Sequence, residues 1–217
     1  IRGKGDVISK LKKEAKGAFV PVYENNNIYY GGDQNWYGFF YKRLTGCGPT
    51  AAANITYYLA DKDPSSYGVL YEYSSIDKNT FVKHMDTNFS YIAPGPFGEL
   101  SLEDFASGVK NFAKSKNLLL ASRILASNPS WTYDEVSTFI KTGLSWDVPV
   151  ACLNLDWPFA DDEVYPWHWV TATKYYRDVT TDQRWIAISS WGERYSVNFK
   201  SYIDSIKYSG GGFCYLF

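Results

Sequence analysis

Cys47 stands between two glycines in GCGPT, immediately ahead of an alanine-rich stretch, AAANITYYLA, that reads as helix. A thiol in that place meets amide N–H groups and the positive end of the helix dipole, which favour the thiolate and lower the thiol pKa. Gly46 and Gly48 leave room for a substrate backbone, and the Cys47 N–H is placed to donate to an oxyanion. The chemistry this suggests is nucleophilic attack on a carbonyl; the plain alternative is a small cysteine packed at a helix start. A nucleophile needs a base, and the chain has two histidines, His84 and His168. His84 falls in a polar helical stretch, where an exposed helix residue is the simpler reading. His168 lies in WHWVTATKYY between Trp167 and Trp169, whose rings can exclude water and hold the imidazole in one rotamer. The alternative there is a strand histidine facing a partly buried surface.

A third residue joins them by strand arithmetic. If WHWVTATKYY and RWIAISSW form a hairpin folded about residues 178 and 179, His168 lies directly opposite Ser189. Cross-strand Cβ atoms are about 5 Å apart, close enough for a hydroxyl to orient an imidazole. By the period of two, Ser190 then faces the other way. Cys152 and Cys214 bring the cysteines to three, too few and odd in number for a disulfide framework, so at least one thiol is free. No CxxC or histidine-rich cluster suggests a zinc site, and neither a metal nor an organic cofactor is expected.

The elements that must position these residues follow from periodicity and punctuation. Asp6 is placed to cap a first helix carrying Val7, Ile8, Leu11 and Ala15 on one face, which Gly17 ends. AFVPVY reads as a strand, followed by a polar Gly-rich loop and the nucleophile helix, with Pro49 at its first position. NTFVKHMDTNF reads as helix and APGPFGEL as a connector. Ser101 with Asp104 and Thr132 with Glu135 form capping patterns for two more helices, separated by a strand at LLLASRIL. PVACLNL, WHWVTATKYY, RWIAISSW and GGGFCYLF read as strands, the Gly210 to Gly212 run being a turn before the last of them. Helices gather early and strands late without strict alternation, which predicts an α+β fold with a mainly antiparallel sheet.

Composition narrows the classes. With 217 residues, 45% hydrophobic and 21% charged, the chain suits one folded domain over 1–217. A formal charge of −1 supplies no field toward nucleic acid or anionic membranes, and no apolar run approaches the roughly 18 residues of a membrane helix. Asn54-Ile-Thr and Asn88-Phe-Ser match the glycosylation pattern without bearing on compartment, which stays open. Aromatics reach 18%, which serves a packed core or a groove for peptide or glycan.

GCGPTAAANI resembles the nucleophile segment of papain-like cysteine peptidases, especially the bacterial group related to the double-glycine leader peptidases, whose motif reads Cys-Gly-Pro-Thr at a helix start. The His168 strand with its following Val170 resembles that group's histidine strand, and SSWG resembles the papain-type Asn-Ser-Trp-Gly segment. The resemblance covers the nucleophile helix and about the last quarter of the chain. It implies a papain-like fold, with a helical N-terminal part packed on a C-terminal sheet. It also implies a thiol hydrolase acting on a peptide or protein substrate, with Cys47 as nucleophile, His168 as base and Ser189 as orienter. In the family an oxyanion-hole Gln stands a few residues before the nucleophile; the resemblance assigns that role to Gln34, further upstream here, with Asn35 beside it as the alternative. Ser189 replaces the family's Asn or Asp and lends no charge, so a carboxylate such as Asp156 or Asp161 is an alternative orienter. The same departure motivates a second reading, a weak or inactive papain-like domain that binds peptide or glycan in an aromatic groove. A third has an amine attack the acyl-enzyme in place of water, giving a transferase.

Overall fold

Residues 7–156 and 164–217 are described by a computed structural model, in which the carboxyl third forms the sheet that its alternating apolar residues predict. The described chain starts with strand β1 (Val7–Lys10) and a short hairpin, β2 (Tyr23–Glu24) and β3 (Asn27–Ile28). Five helices follow: α1 (Phe40–Thr45), α2 (Cys47–Lys62), α3 (Pro64–Tyr67), α4 (Lys78–Ile92) and α5 (Leu102–Ser115). Then come β4 (Ser122–Ala126), α6 (Tyr133–Ser145), β5 (Val150–Asn154), β6 (His168–Arg177), β7 (Arg184–Ser190), β8 (Glu193–Asn198), α7 (Phe199–Ser209) and β9 (Gly211–Leu216). The main sheet runs β4-β9-β5-β6-β7-β8, with β1 also on β6, and its strand pairs are antiparallel. The fold is α+β with a mainly antiparallel sheet, and among the described residues no helix is long and apolar enough to cross a membrane.

Period-two alternation divides the core between the sheet's faces. Val150 and Cys152 of β5 pack with Val136 and Ile140 of α6 and Ile203 of α7. Ala151 and Leu153, their neighbours, pack with Ile55 of α2 and Phe105 and Val109 of α5. Helix α2 therefore lies against the sheet with its N-terminus toward β6, which brings Cys47 to the histidine strand. Cys152 and Cys214 are fully buried on opposite faces, and all three cysteines are free thiols.

Several expectations are corrected. Residues 7–10 form a strand, not a helix: β-branched Val7 and Ile8 pair with Arg177 and Tyr176, and only a 3-10 turn, Glu14–Lys16, precedes Gly17. Asp6, the expected cap, lies outside the described residues. In AFVPVY, Phe19, Val20 and Val22 are buried as irregular chain, and only Tyr23–Glu24 is strand. Pro49 is the third residue of α2, not the first. The division into helical and sheet halves is incomplete, because β1 joins the sheet while α6 and α7 fall between its strands. His84 is 3% exposed rather than on a solvated face, held between Thr56 Oγ1 at 2.8 Å and the Ala53 carbonyl at 3.2 Å. Asn54 and Asn88 are likewise buried, so neither is open to glycosylation in the folded chain. Ser101 and Thr132 do cap α5 and α6, the second through a complete capping box.

Candidate functional site

Gly46 is the N-cap of α2 and offers no side chain, so the first helical N–H groups, those of Cys47 and Gly48, are not capped; Pro49 has none. Thr50 closes the turn through its N–H and hydroxyl to the Gly46 carbonyl, at 2.9 and 2.7 Å. The Cys47 side chain is half-buried, and burial pushes its thiol pKa up, against the pull of backbone N–H groups of Trp169, Gly48 and Cys47 itself. The expected lowering by the helix start is therefore present as one influence and outweighed by burial. The two flanking glycines serve packing, not substrate access. A Cβ on Gly46 would meet the Lys42 carbonyl at 2.4 Å, and one on Gly48 would meet Leu100 Cδ2 at 2.6 Å.

Cys47 and His168 line the same narrow cleft, together with Gln34, Asn54, Thr171, Ser189 and Ser190. His168 is 8% exposed, and burial alone lowers its pKa to about 4, so the imidazole is neutral at pH 7. Its Nε2 lies 2.7 Å from Ser190 Oγ, and the Trp191 ring stacks on the imidazole with centroids 4.5 Å apart and 12° between planes. Trp167 is half-exposed beside the cleft, whereas Trp169 turns away to stack on Phe105, at 4.4 Å. The shield expected of the two flanking tryptophans comes mainly from Trp191.

Ser189 is not the histidine's partner. It pairs with Thr171, and its hydroxyl donates to the Tyr30 carbonyl at 2.5 Å. Two shifts cause this: the β6–β7 pairing is centred beyond residues 178 and 179, and it slips by one at a bulge between Ala172 and Lys174. Beyond the pairing Thr171↔Ser189, β7 continues to Ser190, whose hydroxyl reaches back to His168. Asp156 does not substitute as orienter; it accepts from Ser205 Oγ at 2.7 Å, and Asp161 lies outside the described residues.

Gln34 lies in a 3-10 turn, Gln34–Trp36, that Asp33 caps. Its Nε2 donates to the Arg43 carbonyl at 2.8 Å, which fixes the amide at the rim of the cleft. Helix α1 fills the longer interval between Gln34 and Cys47 and turns the chain back, so that sequence distance does not become spatial distance. Asn54 ties this loop to α2. It lies seven residues, two helical turns, after Cys47, and its Oδ1 accepts the Gly32 N–H at 2.8 Å. The same loop is stitched to the β7–β8 turn by Tyr30 N–H to Gly192 O at 2.7 Å and Gly192 N–H to Gly32 O at 3.0 Å.

Sequence reasoning missed Ser190, Trp191 and Asn54. Trp191 and Gly192 both have positive φ, 49° and 75°, as the two central residues of a primed hairpin turn demand. That turn swings the indole over the imidazole. Cys47, His168 and the uncapped start of α2 thus border one cleft. Among the described residues no group of three or more His, Cys, Asp or Glu could hold a metal ion. No protein-family model matches the chain, and no curated protein matches it significantly.

Proposed function

We propose that this chain is a papain-like thiol hydrolase that cleaves a peptide or isopeptide bond through an acyl-enzyme on Cys47. The observation that supports it is the shared cleft: Cys47 at an uncapped helix start, and His168 held by Ser190 and covered by Trp191. In this reading Nε2 keeps its hydrogen and donates it to Ser190 Oγ, so Nδ1 is the nitrogen that takes the thiol proton. Sulfur attacks the carbonyl, and the oxyanion is received by the Gln34 amide and the N–H groups at the start of α2. The imidazolium then returns its proton to the leaving amine, and water hydrolyses the thioester.

The test uses a peptide vinyl sulfone and iodoacetamide, with labelling followed by mass spectrometry and an exposed thiol in a small peptide as the reference for ordinary reactivity. Labelling at Cys47 that falls in His168→Ala supports the reading. Peptide cleavage that survives in Cys47→Ala overturns it.

A second reading, a binding domain on the same scaffold, is favoured by Ser190 standing where a carboxylate or amide would stabilise an imidazolium more strongly. Ligand binding that persists unchanged after Cys47 alkylation, with no hydrolysis of any peptide in a library, selects it.

A further inference from the structure

A separate cavity of about 530 Å³ opens at the other end of α2. Tyr57 and Asp61, four residues apart and so on one helix face, form one wall. The opposite wall is the segment 71–76, where Tyr71 and Tyr73, two apart, follow the strand-like period; Tyr71 is extended at φ −140° and ψ 110°. Tyr23 closes the rim, anchored by its N–H to the Ile76 carbonyl at 3.1 Å. Tyr57 lies ten residues after Cys47, about 15 Å along the helix axis, so this cavity is distinct from the cleft.

Its walls are preformed. The Tyr57 and Tyr71 rings meet edge to face at 4.7 Å and 88°, and Tyr71 and Tyr73 at 5.5 Å and 68°, so the three rings are fixed against one another at the cavity wall. The Tyr71 hydroxyl donates to the Ser75 carbonyl at 2.8 Å, which fixes its ring. The electrostatics favour a cation. Asp61 is held by Lys13 Nζ at 3.0 Å, so the uncompensated negative charge beside the pocket is that of Asp63 and Asp77. Asp63 and Asp77 flank the two walls, each stabilised as carboxylate by hydrogen bonds from serine and from backbone N–H groups. Neither forms an ion pair among the described residues. Aromatic faces attract a poorly hydrated cation, and a carboxylate beside them adds Coulomb attraction.

We infer that the pocket formed by Tyr23, Tyr57, Tyr71, Tyr73 and Asp61 binds a soft organic cation, a quaternary or methylated ammonium group. It does so independently of the chemistry at Cys47. The test is titration of the intact protein with choline and with tetramethylammonium, read by tyrosine fluorescence and NMR shifts. The neutral isostere 3,3-dimethylbutan-1-ol is the control for apolar binding. Both cations bind saturably and the isostere at least about tenfold more weakly, as expected where charge meets aromatic faces. Tyr57→Leu and Asp61→Asn each weaken choline by at least about fivefold, while the rate of Cys47 alkylation is unchanged. Because Tyr57 also touches Phe81 in the core, Tyr73→Leu serves as a second ring deletion, with unfolding checked by circular dichroism. Equal binding of the isostere, preference for a neutral oligosaccharide, or no saturable response to either cation overturns the inference.

Discussion

Ser189→Ala and Ser190→Ala differ by one residue and should differ widely in effect. Ser190 Oγ lies 2.7 Å from His168 Nε2 at a site where both residues are under a tenth exposed. When the imidazole takes a proton, that bond becomes one to a charged group, worth about 1.5–3 kcal/mol. At about 1.4 kcal/mol per factor of ten, its loss slows Cys47 chemistry by roughly 10- to 150-fold. Ser189 instead donates to the Tyr30 carbonyl, a neutral bond whose loss costs about 0.5–1.5 kcal/mol of stability and leaves the imidazole its partner. The assay is the second-order rate of Cys47 alkylation by iodoacetamide at pH 7, by mass spectrometry, with urea unfolding of each variant alongside. Ser190→Ala should slow labelling by at least tenfold, and Ser189→Ala by no more than about threefold. Equal slowing, or a larger effect from Ser189→Ala, refutes the assignment of Ser190 as the group that holds His168.

Acidification should destabilise the fold before any carboxylate titrates. His84 and His168 are buried neutral with pKa values of about 3 and about 4, against 6.5 when exposed. Between pH 6.5 and 4 the unfolded chain therefore binds up to two more protons, and stability falls as pH falls, by roughly 3 kcal/mol from pH 6.5 to 5. Urea midpoints at pH 7 and 5 measure this, and His84→Gln should halve the slope; a flat profile contradicts the burial of both rings. Gly31→Ala should destabilise by about 1–3 kcal/mol or more, since φ is +91° and the new Cβ would lie 2.5 Å from Ser189 Oγ and 2.9 Å from Asn54 Nδ2. Thermal unfolding checks it, and a neutral result would mean the Gly31 turn is not fixed. Thr132→Ala, which removes a complete capping box from α6, should cost about 1 kcal/mol in the same measurement, without altering Cys47 labelling.

The elements easiest to read in the sequence were those that state their own ends. Ser101 and Thr132 announce helices because a capping side chain is local chemistry, and β5 to β7 announce themselves as short apolar and β-branched runs bounded by polar turns. Residues 7–10 were misread because Val7, Ile8 and Leu11 satisfy a helical face, and only pairing with Tyr176 and Arg177, some 170 residues away, decides otherwise. Strand β8 was missed because its turn is carried by Trp191 at positive φ, where an Asn or Gly is the usual signal. Cys47 and His168 were legible from residue type and placement. The choice between Ser189 and Ser190 was not, because a single bulge at Ala172 to Lys174 moves the pairing by one.

The cleft makes opposing demands on Cys47 and His168. Burial disfavours a lone thiolate and a lone imidazolium alike, so at pH 7 both groups rest neutral. In the proposed reaction, moving the proton from sulfur to nitrogen would create both charges at once, so that each offsets part of the other's burial cost. The N–H groups of Trp169, Gly48 and Cys47 add to the sulfur's side of that balance, and Ser190 accepts from the nitrogen's side. A carboxylate in place of Ser190 would stabilise the imidazolium before substrate arrives and raise the pKa of His168 toward neutrality. A hydroxyl holds the ring without charging it. In the proposed hydrolase, Ser190 therefore suits a site in which the proton moves as sulfur attacks, and the ion pair exists chiefly while a carbonyl occupies the cleft.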